Sequence, residues 1–340
     1  MINKKQKEQC EKIIESAINY CNNELQKYKH KRIKFSYTII NNLNKNAHST
    51  VFKEKKDVCN IEIDSEIFQR VFDVLNTLLH EENKTFYTIV SFEEKYDNQK
   101  ANIYLDLLFE LCTKVIIFHE LGHMFDGHLY YKLSLTSKKE SYMYIDPNLN
   151  KKILKPLDSQ LLEIDADAFA ATRIIGQITY DDNIKKLNSN GINVIKNKVH
   201  AFLLSIVAST VVFSIQGLGW RRKKIDDLSN LMYLPLRTRQ DYYMRCIINA
   251  FKNLNKEIEL KLGDTIIDMA FLREVIPNIE QYVNLYYIQM LGFDKIDYDM
   301  DNNKDELSKD FLEHCDLLDK HWSETIRKKL MDYSYYQLAN

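Results

Sequence analysis

The segment His119-Glu120-Leu121-Gly122-His123 combines two histidines and a glutamate at a spacing that could do chemistry. Residues four apart project from the same face of an α-helix, so the two imidazoles could bind one metal ion, and zinc is commonly bound this way. Glu120 is turned about 100° around such a helix from His119, which lets its carboxylate take a proton from a water molecule at the metal. The spacing therefore predicts a zinc-dependent hydrolytic site.

The residues before this segment predict the element that positions it. Apolar side chains recur there at mostly helical spacing: Leu105, Leu108, Leu111, Cys112, Val115, Ile116 and Phe118. They indicate a long buried helix over about residues 99–128, with the segment near its C-terminal end. Two histidines without partners would be costly to bury there, whereas a metal satisfies one nitrogen of each. A five-residue match can arise by chance. The flanking residues therefore add support to the prediction of a metal site.

A catalytic zinc usually has three protein ligands, so a third ligand is required. One candidate is His128, five residues after His123. In the metzincin pattern, however, glycine and histidine follow the second histidine at the third and sixth positions, whereas Gly127 and His128 follow at the fourth and fifth. This mismatch makes His128 the less favoured candidate.

The favoured third ligand lies on a second helix, predicted over about residues 159–175. Pro156 gives a start signal for this helix and Gly176 a stop signal. Glu163 and Asp167 share one face with alanines, whose small side chains would let the two helices approach closely. Glu163 could then reach the metal, and Asp167 could accept a hydrogen bond from the outer nitrogen of a ligand histidine. The alternative, a solvated acidic face, is less favoured because of these alanines.

Together these residues resemble the gluzincin metallopeptidases. The heat-shock HtpX and prenyl-protease type also has a separate helix that reads Glu-x-x-Ala-Asp, as Glu163 to Asp167 does here. The segment 119–123, with Gly127-His128 and Phe169-Ala170 downstream, is similar as well to the bacterial ImmA/IrrE-type and phage-exclusion Lit-type peptidases. The resemblance covers about a fifth of the chain, around the two helices.

The resemblance implies one zinc ion per chain, bound by His119, His123 and Glu163, with Glu120 as the general base and Asp167 behind a ligand histidine. It implies an endopeptidase that hydrolyses a protein or peptide substrate, in a regulatory or phage-defence role. A membrane-associated quality-control protease is one alternative. Another is a zinc-stabilised interaction module without turnover, which the intact Glu120 makes less favoured.

One part of the heat-shock pattern is not matched. Those enzymes have a His-Pro element and a downstream arginine that help to hold the substrate carbonyl. The nearest match here has Leu234-Pro235 instead. Tyr233, Arg237 and Arg239 are therefore candidate transition-state stabilisers, by a phenolic hydrogen bond or by charge. A turn followed by a solvated basic edge is the favoured alternative.

Composition limits the fold class. A chain of 340 residues with 45% hydrophobic residues, 8 glycines and 4 prolines can bury a large core and should be mainly helical. We expect an α+β fold with a zincin-like core, in which a small mixed sheet lies beside the active-site helix. The 47 basic and 48 acidic residues are interspersed and leave a net charge of −1, so nucleic-acid binding is not expected. Six cysteines without a CxxC pair, and an N-terminus without a signal-peptide core, predict a cytoplasmic protein.

The N-terminal part of the chain is predicted to supply the sheet, over about residues 30–95. A polar helix over Lys4–Tyr28 precedes it. Strands are predicted at Arg32–Ile40, Val58–Ile63 and Phe86–Phe92, with a helix at Glu66–Leu79. These elements belong to a catalytic domain over 1–255, followed by a helical C-terminal region over 256–340. Residues 132–156 are predicted to form a loop near the cleft.

The stretch Ala201–Gly219 is nearly free of charge and about as long as a membrane span, and the basic segment Trp220–Lys224 resembles an interfacial anchor. Several serines and threonines dilute its apolar character, and basic residues flank both ends. A single span would also place the region around Pro235 across the membrane from the zinc helix. A buried core helix is therefore favoured, and membrane association through this stretch is the alternative.

Overall fold

The computed structural model describes residues 4–27, 33–41, 47–52, 55–136, 140–143, 153–179, 194–217, 228–256, 261–262, 265–290, 309–336 and 338. Its helices are α1 (Lys4–Lys27), α2 (Ser65–Leu78), α3 (Lys84–Ser91), α4 (Asn98–Phe125), α5 (His128–Ser134), α6 (Pro156–Ile178), α7 (Lys198–Gly217), α8 (Leu236–Leu254), α9 (Met269–Met290), α10 (Lys309–His321) and α11 (Arg327–Leu330). Its strands are β1 (Lys34–Ile40), β2 (Ala47–Phe52), β3 (Lys55–Asp64), β4 (Glu140–Met143), β5 (Lys261–Leu262) and β6 (Thr265–Ile266). The predicted α+β class with a mainly helical chain is confirmed.

The main sheet is mixed and has the strand order β1-β3-β2-β4. β1 runs parallel to β3, and β2 runs antiparallel to both β3 and β4. Alternate residues of β3 are buried, namely Cys59, Ile61 and Ile63, as expected when one face of a sheet is covered. In β2 three successive residues are buried, Ser49, Thr50 and Val51. β2 lies against α4, so the sheet brings Ser49 to this helix.

Helix α4 lies at the centre of the molecule. Asp97 starts it, because the Asp97 side chain accepts hydrogen bonds from the backbone N–H groups of Gln99 and Lys100. Most of its 28 residues are buried, since it packs against the sheet and against α1, α2, α6 and α7. Just beyond its end, Gly127 has φ +83°, and a Cβ atom there would lie 2.6 Å from the carbonyl carbon of Tyr333. The turn therefore requires glycine.

Helices α4 and α6 approach closely where Gly122 faces Ala166. A Cβ atom on Gly122 would lie 3.1 Å from the Cα atom of Ala166, so the small residues permit the approach that the alanines predict. α6 begins at Pro156, as predicted, but continues through the predicted stop at Gly176. That glycine serves packing instead, because a Cβ atom there would lie 3.1 Å from the hydroxyl of Tyr20.

Helix α7 contains the one stretch among the described residues, Lys198–Gln216, that is long and apolar enough to cross a membrane. In the structure 89% of its most apolar window is buried by the rest of the protein, mainly by α4, α8 and α9. Three of its hydroxyl groups donate to backbone oxygens of the same helix, namely those of Ser205, Ser209 and Thr210. The described part of the stretch is therefore mostly buried in this fold, whereas residues 218–219 and Trp220–Lys224 lie outside the described residues.

The strand predicted at Phe86–Phe92 is wrong, because residues Lys84–Ser91 form helix α3. Phe86, Tyr87 and Val90 are buried at helical spacing, and a short apolar run does not distinguish a strand from a helix. The predicted loop over 132–156 contains the end of α5 and strand β4, which pairs with another strand that the sequence does not predict, β2.

Candidate metal centre

Among the described residues, His119, His123 and Glu163 form the one group of three side chains that could share a metal ion, with ligand atoms within 4.8 Å of one another. The Nε2 atoms of the two histidines are 3.2 Å apart. Glu163 Oε2 lies 3.6 Å from His119 Nε2, and Glu163 Oε1 lies 3.7 Å from His123 Nε2. Ligand atoms at about 2.1 Å from a tetrahedral zinc ion are about 3.4 Å apart. The two histidine nitrogens therefore have nearly the separation of two ligands of such an ion, and each lies at a similar distance from one oxygen of Glu163.

The three side chains differ in exposure. The side chain of His119 is 17% exposed, that of Glu163 is 7% exposed and that of His123 is 2% exposed. Of the three side chains, His119 is therefore the one most accessible to solvent, and the helices that carry them pack together, α6 against α4 and α8.

Asp167 and Arg239 support His119 from behind. Asp167 Oδ1 lies 2.8 Å from His119 Nδ1, at ion-pair distance although not aligned as a hydrogen bond. Arg239 donates to both oxygens of Asp167, from Nε and from Nη2, at 2.8 Å each. Its remaining nitrogen, Nη1, lies 3.1 Å from Glu163 Oε2. One buried guanidinium thus holds both carboxylates, that of Glu163 beside the histidine Nε2 atoms and that of Asp167 behind His119.

His128 lies behind His123 and does not face the ligand atoms. Its Nδ1 atom is 2.9 Å from His123 Nδ1, and its Nε2 atom is 2.9 Å from Asp165 Oδ2. Both ring nitrogens of His128 are therefore engaged away from the Nε2 atom of His123. This geometry disfavours His128 as a third ligand and places Glu163 in that position.

Glu120 is buried between α4 and strand β2. Ser49 Oγ lies 2.9 Å from Glu120 Oε2 and 3.0 Å from the backbone oxygen of Glu120, so Ser49 can donate its hydroxyl hydrogen to either. Burial raises the pKa of Glu120 to about 7, against the opposing effects of His119 and of the Ser49 hydrogen bond. A carboxylate that titrates near neutrality is suited to accept and return a proton.

The charges around the ligand atoms favour a cation. Burial would lower the pKa of His119, but Asp167 and Glu163 outweigh burial and raise it to about 10. Burial would raise the pKa of Glu163, but Arg239 and His119 outweigh burial and lower it to about 2. At His123, burial and the charge of His119 both lower the pKa. The carboxylates attract positive charge to the Nε2 atoms, and a divalent metal ion fits this donor set.

The three candidate transition-state stabilisers are in different situations. Arg239 belongs to the cluster, because α8 begins after Pro235 and buries the guanidinium against the two carboxylates. The expectation of a solvated basic edge is therefore wrong at Arg239. Tyr233 is buried, and its own effect on the pKa of Arg239 is smaller than those of burial and of the two carboxylates. The side chain of Arg237 lies outside the described residues.

Sequence reasoning misses two partners of the site, Ser49 and Asp165, and the supporting position of His128. Asp165 has a local signal, because acidic residues alternate from Glu163 to Asp167 on the second helix. Ser49 has no such signal, since β2 is distant from α4 along the chain and the contact forms only in the folded protein.

Comparison of the chain with protein-family models, with curated proteins and with solved structures finds no match. The functional interpretation therefore depends on the geometry of the site and on the residues that form it.

Proposed function

We propose that the protein is a zinc-dependent endopeptidase of the gluzincin type. The observation that supports this most directly is the separation of the ligand atoms of His119, His123 and Glu163, which suits a tetrahedral zinc ion. A zincin-like core agrees with it, because α4 lies between the mixed sheet on one side and the glutamate-bearing helix α6 on the other.

In this proposal Glu120 is the residue that moves protons. Its carboxylate takes a proton from the attacking water molecule and returns it to the nitrogen of the leaving amine. Ser49 holds one carboxylate oxygen, which fixes the orientation of the group during both transfers. A zinc ion held by His119, His123 and Glu163 would polarise the substrate carbonyl and lower the pKa of the water molecule.

We propose a protein or peptide substrate and a regulatory or defence role in the cytoplasm. Of the three proposed ligands, His119 has the most exposed side chain, which favours the approach of a substrate segment from its side. The burial of α7 supports a cytoplasmic location over the membrane-associated alternative. Carbonate extraction of cell membranes tests the location. Tight pelleting would favour the quality-control protease and would leave the zinc proposal unchanged.

The chemistry is tested by comparing protein fragments from cells that express the wild type or Glu120→Gln. The amide keeps the size of the side chain and an acceptor for Ser49 but removes the base, so cleavage should fall at least about a hundredfold while zinc stays bound. Glu110→Gln is the matched control, because Glu110 is on the same helix and pairs only with Lys114 among the contacts seen at that position. It should cleave like the wild type.

The two failures of this experiment have different meanings. If the wild type and Glu120→Gln yield equal amounts of fragments that are absent from cells without the protein, the proposed mechanism is wrong. If the wild type binds zinc but yields no fragments beyond those of cells without the protein, it is better described as a zinc-stabilised interaction module.

A further inference from the structure

We infer that His128 and Asp165 are positioning residues for the metal centre, and that they fix the direction and the tautomer of His123. The inference rests on the proposed zinc site. Neither His128 nor Asp165 is a proposed ligand or the proposed general base. They form two hydrogen-bonded contacts that lead away from the proposed metal position, on the buried side of His123.

The chain runs from His123 through His128 to Asp165. His123 Nδ1 and His128 Nδ1 are 2.9 Å apart, and His128 Nε2 and Asp165 Oδ2 are also 2.9 Å apart. The His128 ring is fully buried, and both of its nitrogens have these partners. Such distances require one hydrogen atom between each pair of heavy atoms.

Metal binding determines where those hydrogens lie. A metal at His123 Nε2 uses the lone pair of that nitrogen, so the neutral ring has its hydrogen on Nδ1. His123 Nδ1 then donates to His128 Nδ1, and the hydrogen of His128 lies on Nε2, which donates to Asp165. The chain of contacts therefore has one arrangement of neutral rings that is compatible with the ligand role of His123.

Helix geometry explains how one short segment serves both ligand histidines. Successive residues are turned about 100° around an α-helix, so Asp165 and Asp167 project to opposite sides of Ala166. Ala166 is the residue that faces Gly122 at the closest approach of α4 and α6. Asp167 therefore reaches His119 on one side of this contact, and Asp165 reaches His128 on the other.

The backbone holds His128 in place. The left-handed conformation of Gly127 ends the path of α4 and begins α5 at His128. The backbone N–H of Tyr335 donates to the backbone oxygen of Phe125 at 2.7 Å, and the segment around Tyr333 fills the space beside Gly127. The position of His128 behind His123 is thus fixed from both sides of the turn.

A purely structural histidine offers the matched control. His200 is buried like His128, its Nδ1 atom accepts from the backbone N–H of Lys196, and its Nε2 atom is 2.7 Å from the backbone oxygen of Val90. It contacts none of the three proposed ligands in these bonds. His200→Leu therefore removes two hydrogen bonds, one buried and one partly buried, without touching the proposed metal centre, whereas His128→Leu removes two buried ones.

The test measures the zinc affinity of the purified full chain by competition with a chromophoric chelator. For His128→Leu we expect an affinity about 10 to 100 times weaker than for the wild type, because outer hydrogen-bond partners of metal ligands have effects of this size. His200→Leu should bind zinc within about twofold of the wild type, although both variants lose stability. His128→Asn keeps an acceptor for His123 but not the bond to Asp165, so its affinity should be intermediate.

A second measurement requires no substitution at the turn. Nitrogen-15 spectra of histidine side chains in the zinc-loaded wild type should show His123 protonated at Nδ1 and His128 protonated at Nε2. A hydrogen on His128 Nδ1, or unchanged zinc affinity in both His128 variants, overturns the inference while leaving the proposed function in place. A wild-type chain that binds no zinc overturns both.

Discussion

The two proposed ligand histidines, His119 and His123, are four residues apart on one helix, yet different side chains hold each of them. His119 faces a charged pair, Asp167 with Arg239, whereas His123 faces the ring of His128. A carboxylate in contact with an imidazole makes it more basic, while a second imidazole fixes its direction with less added charge. His123 is the more buried of the two, and a carboxylate there would need a countercharge of its own. The comparison shows that the buried carboxylate in contact with a histidine of this pair, Asp167, lies where Arg239 balances its charge.

Removal of a proposed ligand, from α4 or from α6, should have the largest effect on zinc affinity. His123→Ala and Glu163→Ala each leave two ligands, so zinc affinity should fall by more than about a hundredfold. His128→Ala should have a smaller effect, since His128 contacts a ligand and not the metal. Metal analysis after dialysis measures this as zinc per chain. If His128→Ala strips the zinc and Glu163→Ala does not, the ligand assignment is wrong.

Loss of the charged pair behind His119 should have the next largest effect. Arg239→Met removes the guanidinium that pairs with the buried Asp167 and Glu163 and leaves them the positive charge of His119, which should lower the free energy of unfolding by about 3 to 5 kcal/mol in the absence of zinc. Saturating zinc supplies positive charge and should reduce this loss. Urea denaturation with and without zinc measures both values.

The control for this substitution is Arg273→Met. Arg273 lies 3.8 Å from Asp241, and its side chain is 39% exposed. Breaking this partly exposed pair should cost less than about 1 kcal/mol. A loss for Arg239→Met that is as small as that of the control would contradict the account of the charged pair.

A substitution of Gly122, which lies between His119 and His123, should change the contact between α4 and α6 and so affect the surroundings of both histidines. Gly122→Ala places a Cβ atom 3.1 Å from the Cα atom of Ala166, so α4 and α6 must separate slightly. The cost should be about 1 to 3 kcal/mol of unfolding free energy, and zinc affinity should fall as Glu163 moves away. Gly176→Ala is the control, since its Cβ atom would meet only the hydroxyl end of Tyr20. Urea denaturation measures the loss of unfolding free energy, and chelator competition measures zinc affinity, which should fall for Gly122→Ala and not for Gly176→Ala.

The smallest change in zinc affinity is expected for a substitution of Asp165, which can be compared directly with the same substitution of Asp167. Asn at position 165 can still accept from His128 Nε2, so Asp165→Asn should weaken zinc binding by less than about tenfold. Asp167→Asn loses the charge that faces both His119 and Arg239, and its effect should exceed about tenfold. Equal zinc affinities of the two variants would show that the charge behind His119 has no special importance.

The proposed ligands could be predicted from the sequence because their signals are local. His119 and His123 lie on one helix at fixed spacing, and Glu163 lies on a second helix whose alanines indicate a close approach. The structure brings all three together without any adjustment of the predicted helices beyond their ends.

The partners of those ligands could not be predicted in the same way. Ser49 reaches Glu120 from strand β2, which is too short and too polar to be recognised. Arg239 follows a proline and resembles an exposed turn, yet the fold buries it because two carboxylates of α6 require a countercharge. The wrong strand at Phe86–Phe92 has another cause, namely that a short apolar run suits either period.

The segment that closes over Gly127 has a consequence for the order in which the protein is made. On the ribosome, the proposed zinc ligands emerge long before Tyr333 and Tyr335, which pack against the turn after α4 and bond to Phe125. Until those residues have been synthesised, the turn that carries His128 lacks its covering contacts. A nascent chain therefore contains every proposed ligand of the metal centre before it contains the residues that pack against the turn at Gly127.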